Sequence, residues 1–109
     1  MTDLTPQQAA DLLANDEIVL VDVREDYEWE AGRPAGAVHI PLDKLLTGAE
    51  LPPRERPLAF MCLAGMRSAH AADALRAKGY ETHNVAGGFH AWFEAGLPSE
   101  PDNAVLMPH

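Results

Sequence analysis

The feature that most restricts the fold of this chain is its short, unbroken apolar runs, set apart by helix-forming stretches. Ile18-Val19-Leu20-Val21 and Leu58-Ala59-Phe60-Met61 each place four apolar residues in a row. A strand with one wet face alternates apolar and polar residues, whereas a strand apolar at every position is covered on both faces. Ala37-Val38-His39-Ile40 and Tyr80 to Val85 supply two further strand candidates. Strands alternating with helices point to an α/β fold with a parallel sheet between helical layers.

Helix boundaries follow from local chemistry. Thr5-Pro6-Gln7-Gln8 combines an N-cap hydroxyl, a proline at the first helical position and a glutamine that closes a capping box. That helix runs to about Leu13 and ends at Asn15-Asp16. A second is expected from Glu25 to Ala31, stopped by Gly32 with Pro34 and Gly36 beyond it. Leu42 to Leu46 forms a short helix, and Gly48 to Pro57 a polar loop with prolines at 52, 53 and 57. Arg67 to Lys78 is alanine-rich and helical, and Phe89 to Ala95 forms the last helix after Gly87-Gly88. Residues 1–100 are expected to form one domain, with 101–109 a departing tail whose Ala104-Val105-Leu106-Met107 is apolar enough to dock on the domain or on a partner.

Composition narrows the function. Seventeen acidic against 8 basic residues leave a net charge of −9, which argues against nucleic-acid binding, since phosphates need a basic face. No apolar run reaches the ~18 residues of a membrane span. Met1-Thr2-Asp3-Leu4 lacks the basic start and apolar core of a signal peptide. A cytoplasmic protein is expected. The five histidines (His39, His70, His83, His90 and His109) show no metal-ligand spacing, and no metal or cofactor is called for.

Cys62 is the single cysteine, so neither an internal disulfide nor a cysteine-based zinc site is available. It lies at the carboxyl end of a strand candidate, where open α/β sheets bind their ligands. Met61-Cys62-Leu63-Ala64-Gly65-Met66-Arg67-Ser68 then joins that strand to a helix. A short loop there turns successive backbone N–H groups toward the sulfur, and the positive end of the helix adds to them. Gly65 supplies conformational freedom, and Arg67 is expected to add a positive charge at the rim. Each of these favours the thiolate, the nucleophilic form of cysteine. Such a cradle stabilises a persulfide as it does a thiolate, and no general base is needed.

These residues resemble a known family. Cys62-Leu63-Ala64-Gly65-Met66-Arg67-Ser68 is similar to the C-x-x-G-x-R-S loop of single-domain rhodaneses. Val21-Asp22-Val23-Arg24 with Glu28, Ala35-Gly36-Ala37-Val38-His39-Ile40-Pro41, and Val85-Ala86-Gly87-Gly88-Phe89-His90-Ala91-Trp92 resemble three further family segments, in order and in spacing. The resemblance spans Thr5 to Pro98. It implies a three-layer rhodanese-like fold with a five-stranded parallel sheet, and Cys62 as the nucleophile that carries sulfur from thiosulfate or a persulfide to a thiol or cyanide. It also implies a persulfide-binding loop of Leu63, Ala64, Gly65, Met66, Arg67 and Ser68, and a structural polar network of Asp22, Arg24 and Glu28. Trp92 reads as a core anchor. One departure stands out: Gly32-Arg33-Pro34 replaces the usual Gly-His-Ile.

Competing readings differ in residues that are present. Cysteine-dependent phosphatases need C-x5-R to wrap a phosphate, whereas Cys62 to Arg67 is C-x4-R. A non-catalytic interaction module is expected to lose the cysteine or the loop glycine, and both are kept. A relay passing persulfide to a partner protein shares the chemistry at Cys62. Leu63, Ala64 and Met66 are apolar, so a dianion such as thiosulfate is expected to be a mediocre donor.

Overall fold

Thr5 starts the first helix as its chemistry requires. In α1 (Pro6–Ala14) the Thr5 hydroxyl accepts from the Gln8 N–H at 3.1 Å, and the Gln8 side chain accepts from the Thr5 N–H at 2.9 Å. The computed structural model describes residues 3–108; expectations that involve Met1, Thr2 and His109 lie outside them. The chain continues through β1 (Val19–Asp22), α2 (Asp26–Ala31), β2 (Arg33–Pro34), β3 (Val38–His39) and α3 (Leu42–Thr47). It ends with β4 (Leu58–Met61), α4 (Met66–Ala77), β5 (Thr82–Asn84), α5 (Gly88–Glu94) and β6 (Ser99–Glu100).

The main sheet has the order β3-β1-β4-β5, all parallel. Every residue of β1 and β4 is buried, because their two faces enter two different cores. Val19, Val21, Leu58 and Phe60 pack with Leu45, Ala71, Ala72 and Leu75 on the α3/α4 side. Ile18, Leu20, Ala59 and Met61 pack with Ala9, Phe89 and Trp92 on the α1/α5 side. The alternation of side chains along each strand thus builds three layers.

The described residues form four strands in this sheet rather than the expected five. The fifth position is held by one parallel bridge, Leu4 to Val85, with the Leu4 N–H donating to Asn84 O and the Ala86 N–H to Leu4 O, both at 2.8 Å. The pairing stops at once because Thr5 caps α1 and Pro6 has no N–H to offer.

A second, two-stranded antiparallel ribbon of β2 and β6 pairs Arg33 with Glu100 and Pro34 with Ser99. The segment that replaces Gly-His-Ile is therefore used to hold the chain after α5, and Arg33 also lies over the Trp29 ring at 5.2 Å. Beyond β6 the Val105 N–H donates to Ala31 O at 3.0 Å, and Leu106 packs against the α1/α5 core. No helix among the described residues is long and apolar enough to cross a membrane.

Candidate active site

From β1 the chain goes first to β3 on one side and then to β4 on the other, so the order reverses between β1 and β4. Crevices outside the carboxyl ends of strands at such a reversal are the usual ligand sites of open α/β sheets. Asp22 pairs in register with Met61, and the Val23 N–H donates to Met61 O at 2.9 Å. Cys62 is the next residue of β4's chain and stands at that crevice.

The path of the Cys62–Ser68 loop is set by α5. The first amides of a helix lack partners within it. Here the Phe89 N–H donates to Cys62 O at 2.7 Å and the His90 N–H to Leu63 O at 3.0 Å. With the loop carbonyls facing α5, its following amides face inward, and the Gly65 N–H donates to Cys62 Sγ at 3.0 Å. Ser68 Oγ lies 3.4 Å from the same sulfur. Gly65 has φ of +114° and ends the loop as the N-cap of α4, a conformation that favours glycine.

Gly88 allows this close approach. A Cβ there would lie 2.4 Å from Cys62 O and 2.5 Å from Leu63 O, on backbone with φ of +58°. Gly88→Ala is expected to cost at least about 2 kcal/mol, from backbone strain and from displacement of the loop. It should also slow alkylation of Cys62. An unchanged urea midpoint would show that the loop withdraws freely and that this reading of Gly88 is wrong.

Burial raises the pKa of the Cys62 thiol, but hydrogen bonds from the Ser68 hydroxyl and from the Ser68, Gly65 and Ala64 amides more than offset it. The net direction is downward. The reactive anion therefore persists to lower pH than in a free thiol. Alkylation by iodoacetamide should reach half its limiting rate on the acid side of the ordinary thiol pKa, and shift upward in denaturant. A half-point at or above the ordinary value would contradict the geometry. By linkage, a depressed acid adds stability above its unfolded pKa, and this is lost as pH falls through the folded one.

The structure places the remaining sequence candidates in two ion pairs. Arg24, fully buried, binds both Asp22 oxygens, with Nη2 to Oδ2 at 2.8 Å, and also donates to Gly32 O at 2.7 Å. Its guanidinium lies over the Phe89 ring at 4.4 Å. Glu28, also fully buried, takes Arg67 in a two-point bridge at 2.8 and 3.0 Å. Burial raises the Glu28 pKa, but hydrogen bonds from Arg67 and the Glu25 amide and the charges of Arg67 and Arg24 carry it below its ordinary value. Arg67 lines the cleft beside Cys62 with its charge bridged to Glu28.

A shallow cleft of about 170 Å³ opens over Cys62, lined otherwise by Leu63, Ala64, Met66 and Arg67. Met66 is 85% exposed at its lip. A larger hollow of about 400 Å³ beside α1 and Trp92 shares none of these residues, and its one ionisable lining residue is Asp16. The smaller cleft is the one that contains Cys62. Trp92 is buried and donates from its ring to Pro98 O at 2.9 Å, the position of a core anchor. His70 is exposed and does not line the cleft. Sequence reasoning missed Asn84, a buried residue that touches both Ser68 and Gly65. A polar side chain inside an otherwise strand-like stretch was the available signal, since a buried amide needs partners.

Known proteins share this fold. A family model described as the rhodanese-like domain matches residues 5–95. The thiosulfate sulfurtransferase GlpE of Glaesserella parasuis serovar 5 is 33% identical over 100 residues, covering 91% of this chain and 93% of that protein. The structure of reduced Bacillus anthracis CoADR-RHD is similar with a TM-score of 0.78 and 34% identity, over 84% of this chain and 16% of that one. The human single-domain sulfurtransferase TSTD1 is similar with a TM-score of 0.75 and 31% identity, over 84% of this chain and 95% of that one. Fold, loop and relatives together show that the chain belongs to the rhodanese-like domain family.

Proposed function

We propose that this chain is a sulfurtransferase that carries a sulfane sulfur on Cys62 as a persulfide. The observation that carries the reading is the Cys62 sulfur at the focus of inward-facing loop amides, with the Gly65 N–H at 3.0 Å. The Cys62 thiolate attacks the outer sulfur of a donor R–S–S–H. A bond forms between Sγ and that sulfur, the donor S–S bond breaks, and its electron pair leaves on the thiolate R–S⁻. A thiolate or cyanide acceptor then attacks the outer sulfur of the Cys62 persulfide, and the electron pair of that S–S bond returns to Sγ. The amides stabilise negative charge on sulfur before and after transfer.

Persulfides are the favoured donor class. Thiosulfate brings two charges into the cleft, and Arg67, the cation that lines it, is bridged to Glu28. A hydrogen bond to a charged group contributes about 1.5–3 kcal/mol, so the missing partner corresponds to about 10- to 100-fold in rate at low donor concentration. The exposed Met66 beside Leu63 and Ala64 supports a protein-bound persulfide as one such donor. The short loop and the turned Arg67 leave a tetrahedral phosphate without its two-point clamp.

Intact-mass measurement of the reduced protein with each donor is the test. Glutathione persulfide is expected to add one sulfur atom, removable by cyanide as thiocyanate, and to load faster than thiosulfate at equal concentration. No uptake from either donor would overturn the sulfurtransferase reading. Thiosulfate loading that is equally fast at low micromolar concentration would overturn the donor preference alone.

A further inference from the structure

β5 turns Thr82 and Asn84 toward α4, and both side chains bond to it. Thr82 donates to Ala72 O at 2.9 Å in the middle of the helix. Asn84, 6% exposed, reaches the helix start, where its Nδ2 donates to Gly65 O at 3.2 Å and its Oδ1 meets Ser68 Oγ at 2.5 Å. The amide has one tenable orientation. Reversed, it would set Oδ1 against the Gly65 carbonyl, two acceptors facing each other. Its oxygen therefore faces Ser68, and the Ser68 hydroxyl must donate to it.

A hydroxyl has one proton and cannot give it to Asn84 and Cys62 together. While Ser68 donates to Asn84, its oxygen presents a lone pair to Sγ at 3.4 Å. That arrangement suits the thiol, whose S–H donates to Ser68. It does not suit a thiolate, which accepts only. When the thiol proton leaves for solvent, the Ser68 hydroxyl turns toward Sγ and Asn84 Oδ1 loses its donor. We infer that Asn84 is a positioning residue that competes with Cys62 for the Ser68 proton and thereby sets the balance between the resting thiol and the attacking thiolate. This rests on the sulfur-transfer reading for its purpose, but not for its geometry.

The competition opposes the pull of the loop amides. It keeps Cys62 from ionising as fully as those amides alone would allow, and a thiolate less deeply stabilised is a stronger nucleophile. The charged groups near the thiol are Arg67 on α4 and, bearing on Arg67, Glu28 and Glu25 at α2. On α5 the His90 ring faces Glu94 at 3.9 Å and is exposed. The Asn84 side chain bonds to Ser68 and to Gly65 O. The Gly65 carbonyl also accepts the Ala69 N–H at 3.1 Å, so shortening Asn84 leaves it bonded.

The test is the pH profile of Cys62 alkylation by iodoacetamide in Asn84→Ala, Ser68→Ala and the double variant. Asn84→Ala is expected to react about 3- to 10-fold faster on the acid side of the titration, the equivalent of one hydrogen bond freed for the thiolate. In the Ser68→Ala background the same change should have no effect. No acceleration, a slowing, or equal acceleration in both backgrounds would overturn the inference. Should Asn84→Ala not fold, the wild-type protein decides: the Asn84 side-chain amide resonances are expected to shift with the Cys62 titration, and constancy would overturn the competition. Absence of sulfur uptake by the wild type would remove the transfer reading while leaving these results intact.

Discussion

A Cys62→Ser protein will accept no sulfur from glutathione persulfide or thiosulfate, and it will fold and melt only about 4–6 °C below the parent. The hydroxyl that replaces the thiol ionises far outside the working pH range, and becoming a nucleophile would require a base to take its proton. The groups hydrogen-bonded at this position, the Gly65 N–H and the Ser68 hydroxyl, are no such bases. The loop can stabilise an anion but cannot create one from serine. The cost to the fold is small, about 1 kcal/mol, because serine fills most of the same buried space and still accepts from Gly65. Mass spectrometry reads the first half of this expectation and a thermal melt the second. Cyanide-labile sulfur on the serine protein would show that the carrier lies elsewhere.

Asp22→Asn should do the reverse, leaving the nucleophile untouched and undermining the fold beneath it. Asp22 and Arg24 are both fully buried, and Asp22 also accepts the Arg24 backbone N–H at 3.0 Å. Asparagine removes the charge that compensates Arg24 and turns an N–H₂ group toward its donors. Breaking a buried pair from one side costs about 3–5 kcal/mol, a large share of the roughly 5–15 kcal/mol that holds a domain together. The exposed Arg76–Asp73 pair at 2.7 Å is the contrast, since its removal should cost under about 1 kcal/mol. Arg24 Nη1 has no hydrogen-bond partner among the described residues, so even the intact network is incompletely paired. Replacing both residues together, as Asp22→Leu with Arg24→Met, is therefore expected to destabilise less than Asp22→Asn alone. Urea denaturation of the three proteins measures this. A double variant weaker than the single one would mean that the ion pair contributes net stability.

What could be read from the sequence were the features carried by contiguous residues. Ile18–Val21 and Leu58–Met61 announce strands covered on both faces because burial on both sides leaves no position free to be polar. Thr5 and Gln8 predict their own capping box because its partners are three residues apart. The Cys62–Ser68 loop is legible for the same reason. The features that escaped depend on residues distant in the chain. The β2–β6 ribbon joins Arg33 to Glu100, and neither two-residue strand has a period to detect. The Glu28 bridge crosses 39 positions to Arg67, so the charge of Arg67 was legible in the sequence but its partner was not. The fifth strand shrinks to one bridge because a good helix cap lies one residue after it, a local preference that overrides the sheet.

The amides that hold the Cys62 sulfur come from the main chain, while the cleft above it is walled by the side chains of Leu63, Ala64 and Met66. On the proposed reading, reactivity and donor choice therefore rest on different parts of the loop. Mutation at those three positions redraws the doorway without rewriting the reaction behind it. On that reading, single substitutions at Leu63, Ala64 or Met66 are expected to change donor preference while Gly65 and Gly88 keep the main chain on its course.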